Sequence, residues 1–230
     1  MPIHIHPTAP LAEQVLLPGD PGRALRLAQE LLESPRMFNH NRGLWGYTGK
    51  APDGQPLSVQ STGMGGPSTA IVVSELIELG ARRLLRVGTC GGLQAELELG
   101  QLVIATEAVC EDGTSRALGA DQRAAASAGL VEALRRAGDG DRAAEGSIVS
   151  TDLFYDAGER EPGWRRAGVL AVEMEAATLF ALAARREVEA GCALIVSDLL
   201  FGGRVRIAPD ALHEAELRLG RLALRALAPA

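Results

Sequence analysis

Short apolar runs alternate along the chain with longer stretches whose apolar positions recur every three or four residues. This is the pattern of an α/β protein with a central sheet. Val15-Leu16-Leu17 predicts a strand stopped by Pro18-Gly19, and Pro21 stands where a first helical turn accepts proline, with the helix running to about Glu33. Leu44 to Lys50 and Leu57 to Thr62 predict strands joined by the turn Pro52-Asp53-Gly54. A helix from Pro67 stops at Gly80. Strands follow at Arg83 to Gly88 and Leu102 to Val109, then a polar helix at Asp121 to Ala137 and short strands at Ser147 to Ser150 and Val169 to Val172. A helix from Met174 to Arg186 precedes the buried strand Ala193 to Val196. The last helix opens at Pro209-Asp210 with an apolar stripe of Leu212, Ala215, Leu219 and Leu222. No repeat or linker interrupts the pattern, which predicts one domain over residues 1–230.

Polar residues fall where the apolar strands end. Gly19-Asp20, Gly88-Thr89 and Ser197-Asp198 each sit just past such a run. Open α/β sheets bind ligands at the carboxyl ends of their strands, so these segments are expected to converge on one crevice.

Composition narrows the partners. A net charge of −6 gives no basic footprint for nucleic acid. No run approaches the roughly 20 apolar residues of a membrane helix, and Met1 to Pro10 lacks the apolar core of a signal peptide. Cys90, Cys110 and Cys192 are an odd number without metal-ligand spacing, which reads as buried reduced thiols, a cytoplasmic address and no metal site. Lys50 is the lone lysine, so positive charge is carried by arginine, whose planar fork of donors suits phosphate.

Several segments carry chemistry. Gly19-Asp20-Pro21-Gly22-Arg23 joins strand to helix, and free N–H groups at a helix start, with Arg23 beside them, form an anion site or else a plain turn. Gly63-Met64-Gly65-Gly66-Pro67-Ser68 departs from the dinucleotide fingerprint, with Ser68 in place of the third glycine and no acidic residue ending the next strand. A Walker loop is absent, so NAD and ATP are not expected. Arg86 lies inside an apolar strand, where its charge needs a partner: an oxyanion beside Thr89, or a structural carboxylate. Cys90 between Gly88 and Gly92 loosely fits a nucleophile elbow, although no helix follows and no histidine is placed as its base. Glu173 and Glu175 stand two apart at a strand-to-helix junction, suited to holding sugar hydroxyls or to complementing the helix dipole.

Taken in order, these segments resemble the purine nucleoside phosphorylase and uridine phosphorylase family over nearly the whole chain. The matching stretches are Gly19-Asp20-Pro21 with Arg23, His40-Asn41-Arg42-Gly43, Ser61 through Ser68, Arg86-Val87-Gly88-Thr89-Cys90-Gly91, Ser150 through Tyr155, Val172-Glu173-Met174-Glu175-Ala176-Ala177 and Val196-Ser197-Asp198. The resemblance implies phosphorolysis on a mixed, twisted sheet flanked by helices on both faces, in a homohexamer arranged as a trimer of dimers. It implies inorganic phosphate as co-substrate and no cofactor. Gly19, Arg23, Arg86 and Thr89 would hold phosphate, with Arg42 from a neighbouring subunit. Met64, Met174 and Glu175 would face the ribose, with His4 from the neighbour. Phe154, Val172, Glu173, Ser197 and Asp198 would line the base, and a protonated Asp198 would donate to purine N7.

Two positions depart from the family pattern. Pro209-Asp210-Ala211-Leu212-His213 holds no arginine where the purine enzymes carry one in the last helix, which leaves Arg204, Arg206 and His213 as candidates to replace it. Arg160 falls at a uracil-reading arginine of the uridine enzymes, yet Gly158 stands where their glutamine would be. Purine phosphorolysis is therefore the expectation. Uridine phosphorylase is the nearest alternative, with a nucleosidase, a Cys90 hydrolase and a non-catalytic nucleoside-binding module more remote.

Overall fold

The computed structural model describes residues 2–138, 142–155 and 159–228. Among them, strands and helices follow as β1 (Gln14–Leu17), α1 (Pro21–Leu31), β2 (Glu33–Asn39), β3 (Gly46–Lys50), β4 (Pro56–Gln60), α2 (Gly65–Glu78), β5 (Arg83–Gly92), β6 (Leu102–Glu111), α3 (Gly113–Ala117), β7 (Arg123–Ala125), α4 (Ala128–Ala137), β8 (Ala144–Thr151), α5 (Glu161–Arg166), β9 (Ala171–Glu173), α6 (Ala176–Arg186), β10 (Glu189–Leu199), β11 (Val205–Arg206) and α7 (Pro209–Leu227).

The strands form one mixed sheet in the order β11-β10-β6-β8-β9-β5-β1-β4-β3-β2, with β7 added on β6. β10 also pairs in parallel with β5, so β5, β10, β6, β8 and β9 close into a ring. The β5–β10 register shifts between Val196 and Asp198, which face Cys90 and Gly91 in turn. Ser197 is thus the extra residue of a bulge, a device that re-aims side chains. The sheet is covered on both sides. Leu27 and Leu31 of α1, Leu130 and Leu134 of α4, and Leu219 and Leu222 of α7 join one buried cluster. Val72 and Leu76 of α2 with Leu179 and Phe180 of α6 join the other. Each such side chain contributes about 1.5–3 kcal/mol on burial. The expected α/β class with helices on both faces is what forms.

Element boundaries differ from expectation where polar sequence hides structure. The α1 helix ends at Leu31, and the unpredicted β2 follows as a largely exposed edge strand containing Pro35, without apolar alternation. The stretch expected as one helix from Asp121 is instead β7, paired with β6, and then α4. Strand β5 runs past Gly88 to Gly92, so Thr89 lies within a strand rather than a loop. A Cβ at Gly91 would come 2.8 Å from Leu200 Cδ1, so a larger residue there would have to push the Leu200 side chain aside.

Glu75 on α2 fastens the N-terminal segment. Its carboxylate accepts from the backbone N–H groups of Ile3 (3.0 Å), His4 (2.8 Å) and Ile5 (2.7 Å), and His4 Nδ1 lies 2.8 Å away. Burial works against ionisation, but the His4 ring and the backbone donors of Ile5, Ile3 and His4 outweigh it and hold the carboxyl down to about 2, from an ordinary 4.5. A depressed carboxyl contributes stability above its unfolded value and loses it as pH falls through the folded one. The tether is therefore complete above pH 4.5 and lost on acidification toward about 2. Glu75→Ala is expected to lower the unfolding free energy at neutral pH by about 1–3 kcal/mol, since it strands buried donors. Urea denaturation at pH 7 and pH 3 checks this, with the gap between wild type and variant narrowing in acid.

Candidate active site

A cavity of about 690 Å³ opens at the ends of β1, β5, β8, β9 and β10. Its size suits a small organic ligand. It is lined, among others, by Gly19, Arg23, Met64, Arg86, Thr89, Phe154, Val172, Glu173, Met174, Glu175, Ser197 and Asp198. These are the expected site residues of this chain's own pocket, brought from six separate segments. Backbone hydrogen bonds join the loops: Thr62 N to Pro18 O at 2.9 Å, Gly63 N to Gly19 O at 3.0 Å. A Cβ on Gly19 would come 3.1 Å from Gly63 O, a tight contact with backbone that favours glycine at this approach.

Arg86 is the centre of the charge network. It is 5% exposed, with Nε 2.8 Å from Glu173 Oε2 and Nη2 2.5 Å from Glu175 Oε2. Burial alone lowers an arginine's pKa, but Glu175 and Glu173 outweigh it and hold Arg86 above its ordinary value. Burial pushes the Glu175 carboxyl up against the attraction of Arg86, and Glu173 adds repulsion. Glu173 also accepts from the N–H groups of Glu175 (2.9 Å) and Ala176 (3.0 Å) at the start of α6, and from the Ser150 hydroxyl. Its carboxylate is thus turned toward Arg86 and the helix, although the residue lines the cavity. Glu175 Oε1 accepts from Gly65 N at 2.6 Å, which ties the Gly63 loop to the same network. Of the two partners expected for Arg86 the structural carboxylate is the one observed, and the residue also lines the cavity.

At one end of the cavity Asp20 caps α1 by accepting from Arg23 N at 2.6 Å. Arg23 Nη2 lies 2.7 Å from Glu216 Oε1 of α7, and Arg26 Nη2 lies 2.8 Å from Glu216 Oε2. The buried Nε of Arg23 has no hydrogen-bond partner. At the other end Ser197 Oγ donates to Asp198 Oδ2 at 2.8 Å. Arg204 Nε and Arg206 Nε lie 2.9 and 3.1 Å from Asp198 Oδ1. These two, and not His213, stand where the purine enzymes' last-helix arginine was missing.

His4 and Arg42, expected at a neighbouring subunit's site, do not line this chain's own cavity; His4 is held by Glu75, and Arg42 has a left-handed backbone (φ 55°) in the turn Asn41–Gly43. Arg160 lies 3.4 Å from Glu111 and does not line the cavity either, while Gly158 lies outside the described residues. Cys90 does not fit a nucleophile. It sits mid-strand, with Sγ 3.6 Å from Ile195 O, and burial first, then Glu173, push its thiol far up. All three cysteines are free and buried. Among the described residues no cluster of His, Cys, Asp or Glu fits a metal ion, and no helix is long and apolar enough to cross a membrane.

Some residues were missed. Glu216 is an acid on the apolar face of α7, between Ala215 and Leu219, which is itself a signal of a buried partner. Arg204 follows Gly202-Gly203, whose positive φ values (73° and 119°) make the turn from β10 into β11. A glycine pair followed by Arg-Val-Arg is a hairpin signal.

The model of the phosphorylase superfamily matches residues 13–228. The chain is similar to "Purine nucleoside phosphorylase DeoD-type" of Caldanaerobacter subterraneus subsp. tengcongensis, 43% identical over 87% of this chain and 88% of that one. It is also similar to the protein of the same name from Clostridium beijerinckii, 41% identical over 91% of each chain. "Guanosine phosphorylase" of Halorubrum lacusprofundi is 41% identical over 83% of this chain and 80% of that one. The chain belongs to the phosphorylase superfamily.

Removing Glu173 leaves Arg86 with Glu175 but strands several buried donors, among them Arg86 Nε, the Ser150 hydroxyl and the N–H groups of Glu175 and Ala176, at about 1–3 kcal/mol each. Glu173→Ala is expected to destabilise the protein on that scale, measured by urea denaturation at neutral pH. The more exposed Glu189, whose carboxylate pairs with Arg83 at 2.8 Å, gives a control of at most about 1 kcal/mol on the same substitution.

Proposed function

We propose that the protein is a purine nucleoside phosphorylase, which uses inorganic phosphate to convert purine ribonucleosides and 2′-deoxyribonucleosides into free base and pentose 1-phosphate. The observation that carries this reading is the order of chemistry along one cavity. Gly19 and Arg23 follow β1, Arg86 and Thr89 lie on the neighbouring β5, and Ser197 and Asp198 lie on β10 beyond it, with Glu175 held at Arg86 in the same lining. The relatives named for purine nucleosides and for guanosine support the base. A uracil reading has less support, with Arg160 turned to Glu111.

In this reading phosphate attacks C1′ as the C1′–N9 bond breaks. The bond's electron pair goes to the base, which takes a proton at N7 with Asp198 as the general acid. Phosphate oxygens stabilise the positive charge developing on the sugar, and Glu175 accepts from the sugar hydroxyls. Phosphate is a co-substrate, and the scheme calls on no cofactor or metal.

A homo-oligomer completes the site, a hexamer built as a trimer of dimers. His4 would approach the 5′-hydroxyl and Arg42 the phosphate of a neighbouring subunit. The exposed apolar side chains Ile3, Met37, Met64 and Ile71 support a covered face near them. The strained backbone of Arg42 supports a functional task there. Free, buried thiols support a reducing, cytoplasmic setting, and the names of the relatives support a place in nucleoside catabolism and purine salvage.

The test is base release from inosine, guanosine, adenosine and uridine, with and without phosphate. A purine nucleoside should be cleaved faster than uridine, and only with phosphate present. Asp198→Asn should lower purine turnover by about 10²–10⁴-fold, the usual contribution of a general acid, with little change in the phosphate KM. Faster cleavage of uridine, or equal release without phosphate, would overturn the reading.

A further inference from the structure

The base end of the cavity contains a guanidinium that the reaction scheme does not use. Arg204 lines the cavity and Arg206 does not. Through Nε, Arg204 holds Asp198 Oδ1 at 2.9 Å, and its guanidinium carbon lies 4.7 Å from the centre of the Phe154 ring. Among the described residues its Nη groups make no hydrogen bond. They are donors held in a fixed plane between a carboxylate and an aromatic face.

The topology says which part of a bound base they meet. Asp198 is flanked in the sheet by Gly91 of β5 on one side and Arg206 of β11 on the other. β5 carries Arg86 and Thr89 toward the phosphate end. The β10–β11 turn therefore places Arg204 on the far side of Asp198 from the phosphate and sugar positions. A purine with N7 at Asp198 directs its six-membered ring, and the substituent at C6, to that far side.

We propose that Arg204 is a specificity-determining residue that reads the C6 substituent and makes this a phosphorylase of 6-oxopurine nucleosides over 6-aminopurine nucleosides. The proposal rests on the phosphorolysis reading and narrows its substrate. Along the shared edge a 6-oxopurine presents two acceptors, N7 and O6, whereas adenine presents an acceptor at N7 and a donor at N6. Guanidinium has donors and no acceptor, so it matches O6 and opposes an amino group. The nearby carboxylates offer the amino group little. Asp198 Oδ1 already takes both arginines and Oδ2 takes Ser197, while Glu161 is engaged by Arg165 at 3.2 Å.

A site built to bond one group discriminates against analogues that lack it. The experiment compares kcat/KM at saturating phosphate for inosine, adenosine and purine riboside, which carries hydrogen at C6. Wild type should favour inosine over each of the others by about tenfold or more, the discrimination of one well-placed arginine–base contact. Arg204→Gln, with a donor and an acceptor on one amide, should bring the inosine-to-adenosine ratio close to one, chiefly by losing inosine. Arg206→Gln should keep the wild-type ratio, whatever it does to rate through Asp198. Wild type that cleaves adenosine or purine riboside as well as inosine overturns the proposal without any variant. So does an equal loss on all substrates in Arg204→Gln, the mark of a residue that only holds Asp198. In both cases phosphate-dependent purine release would leave the phosphorolysis reading standing. No such release from any of the three would overturn both.

Discussion

The site depends on one buried cation. Arg86 is surrounded by sheet and helix, and a guanidinium there is tolerable only because Glu173 and Glu175 meet it from the start of α6. That requirement sets positions well beyond the pair. Glu173 is also bound by Ser150 and by the first N–H groups of α6, and Glu175 holds Gly65 at the start of α2. Two helices and strands β5, β8 and β9 are thereby referred to one charge. Two carboxylates against one arginine leave the network with an acidic excess. The added negative charge of a phosphate would be opposed there unless Arg23 contributes, and its buried Nε without a partner is consistent with that task.

The far end is built by backbone irregularity. The bulge at Ser197 lets Ser197 and Asp198 both contribute to the cavity wall, although neighbours in a regular strand point to opposite faces. The glycine turn that follows returns Arg204 and Arg206 to Asp198. The two arginines that meet Asp198 thus come from a hairpin and not from the last helix. α7 is left free to send Glu216 toward Arg23, at the opposite end of the cavity.

Much of this was legible in the sequence, for reasons that differ by element. Apolar strands such as Ala193 to Val196 announce themselves because both faces are buried. The nearness of Gly19, Thr89 and Asp198 to the carboxyl ends of strands followed from them, although β5 and β10 run on past Thr89 and Asp198. β2 was hidden because an exposed edge strand needs no apolar alternation, and β7 because three small residues leave no periodic signal. The pairing of Arg86 with Glu173 and Glu175 spans nearly ninety positions, and only topology brings such groups together. The resemblance named the site residues, but not that Glu173 is committed to Arg86 and the helix, nor which arginine reaches Asp198.

In the proposed reading Arg86 serves the fold's charge balance and phosphate at once. Calorimetric titration of inorganic phosphate into wild type and Arg86→Lys tests it most directly. Lysine retains the charge that Glu173 and Glu175 require but lacks the fork that reaches a third partner. Wild type is expected to bind phosphate measurably and the folded variant to lose about tenfold or more in affinity, the scale of a charge-assisted contact. Unchanged phosphate affinity in Arg86→Lys, or no phosphate binding by wild type, would contradict it.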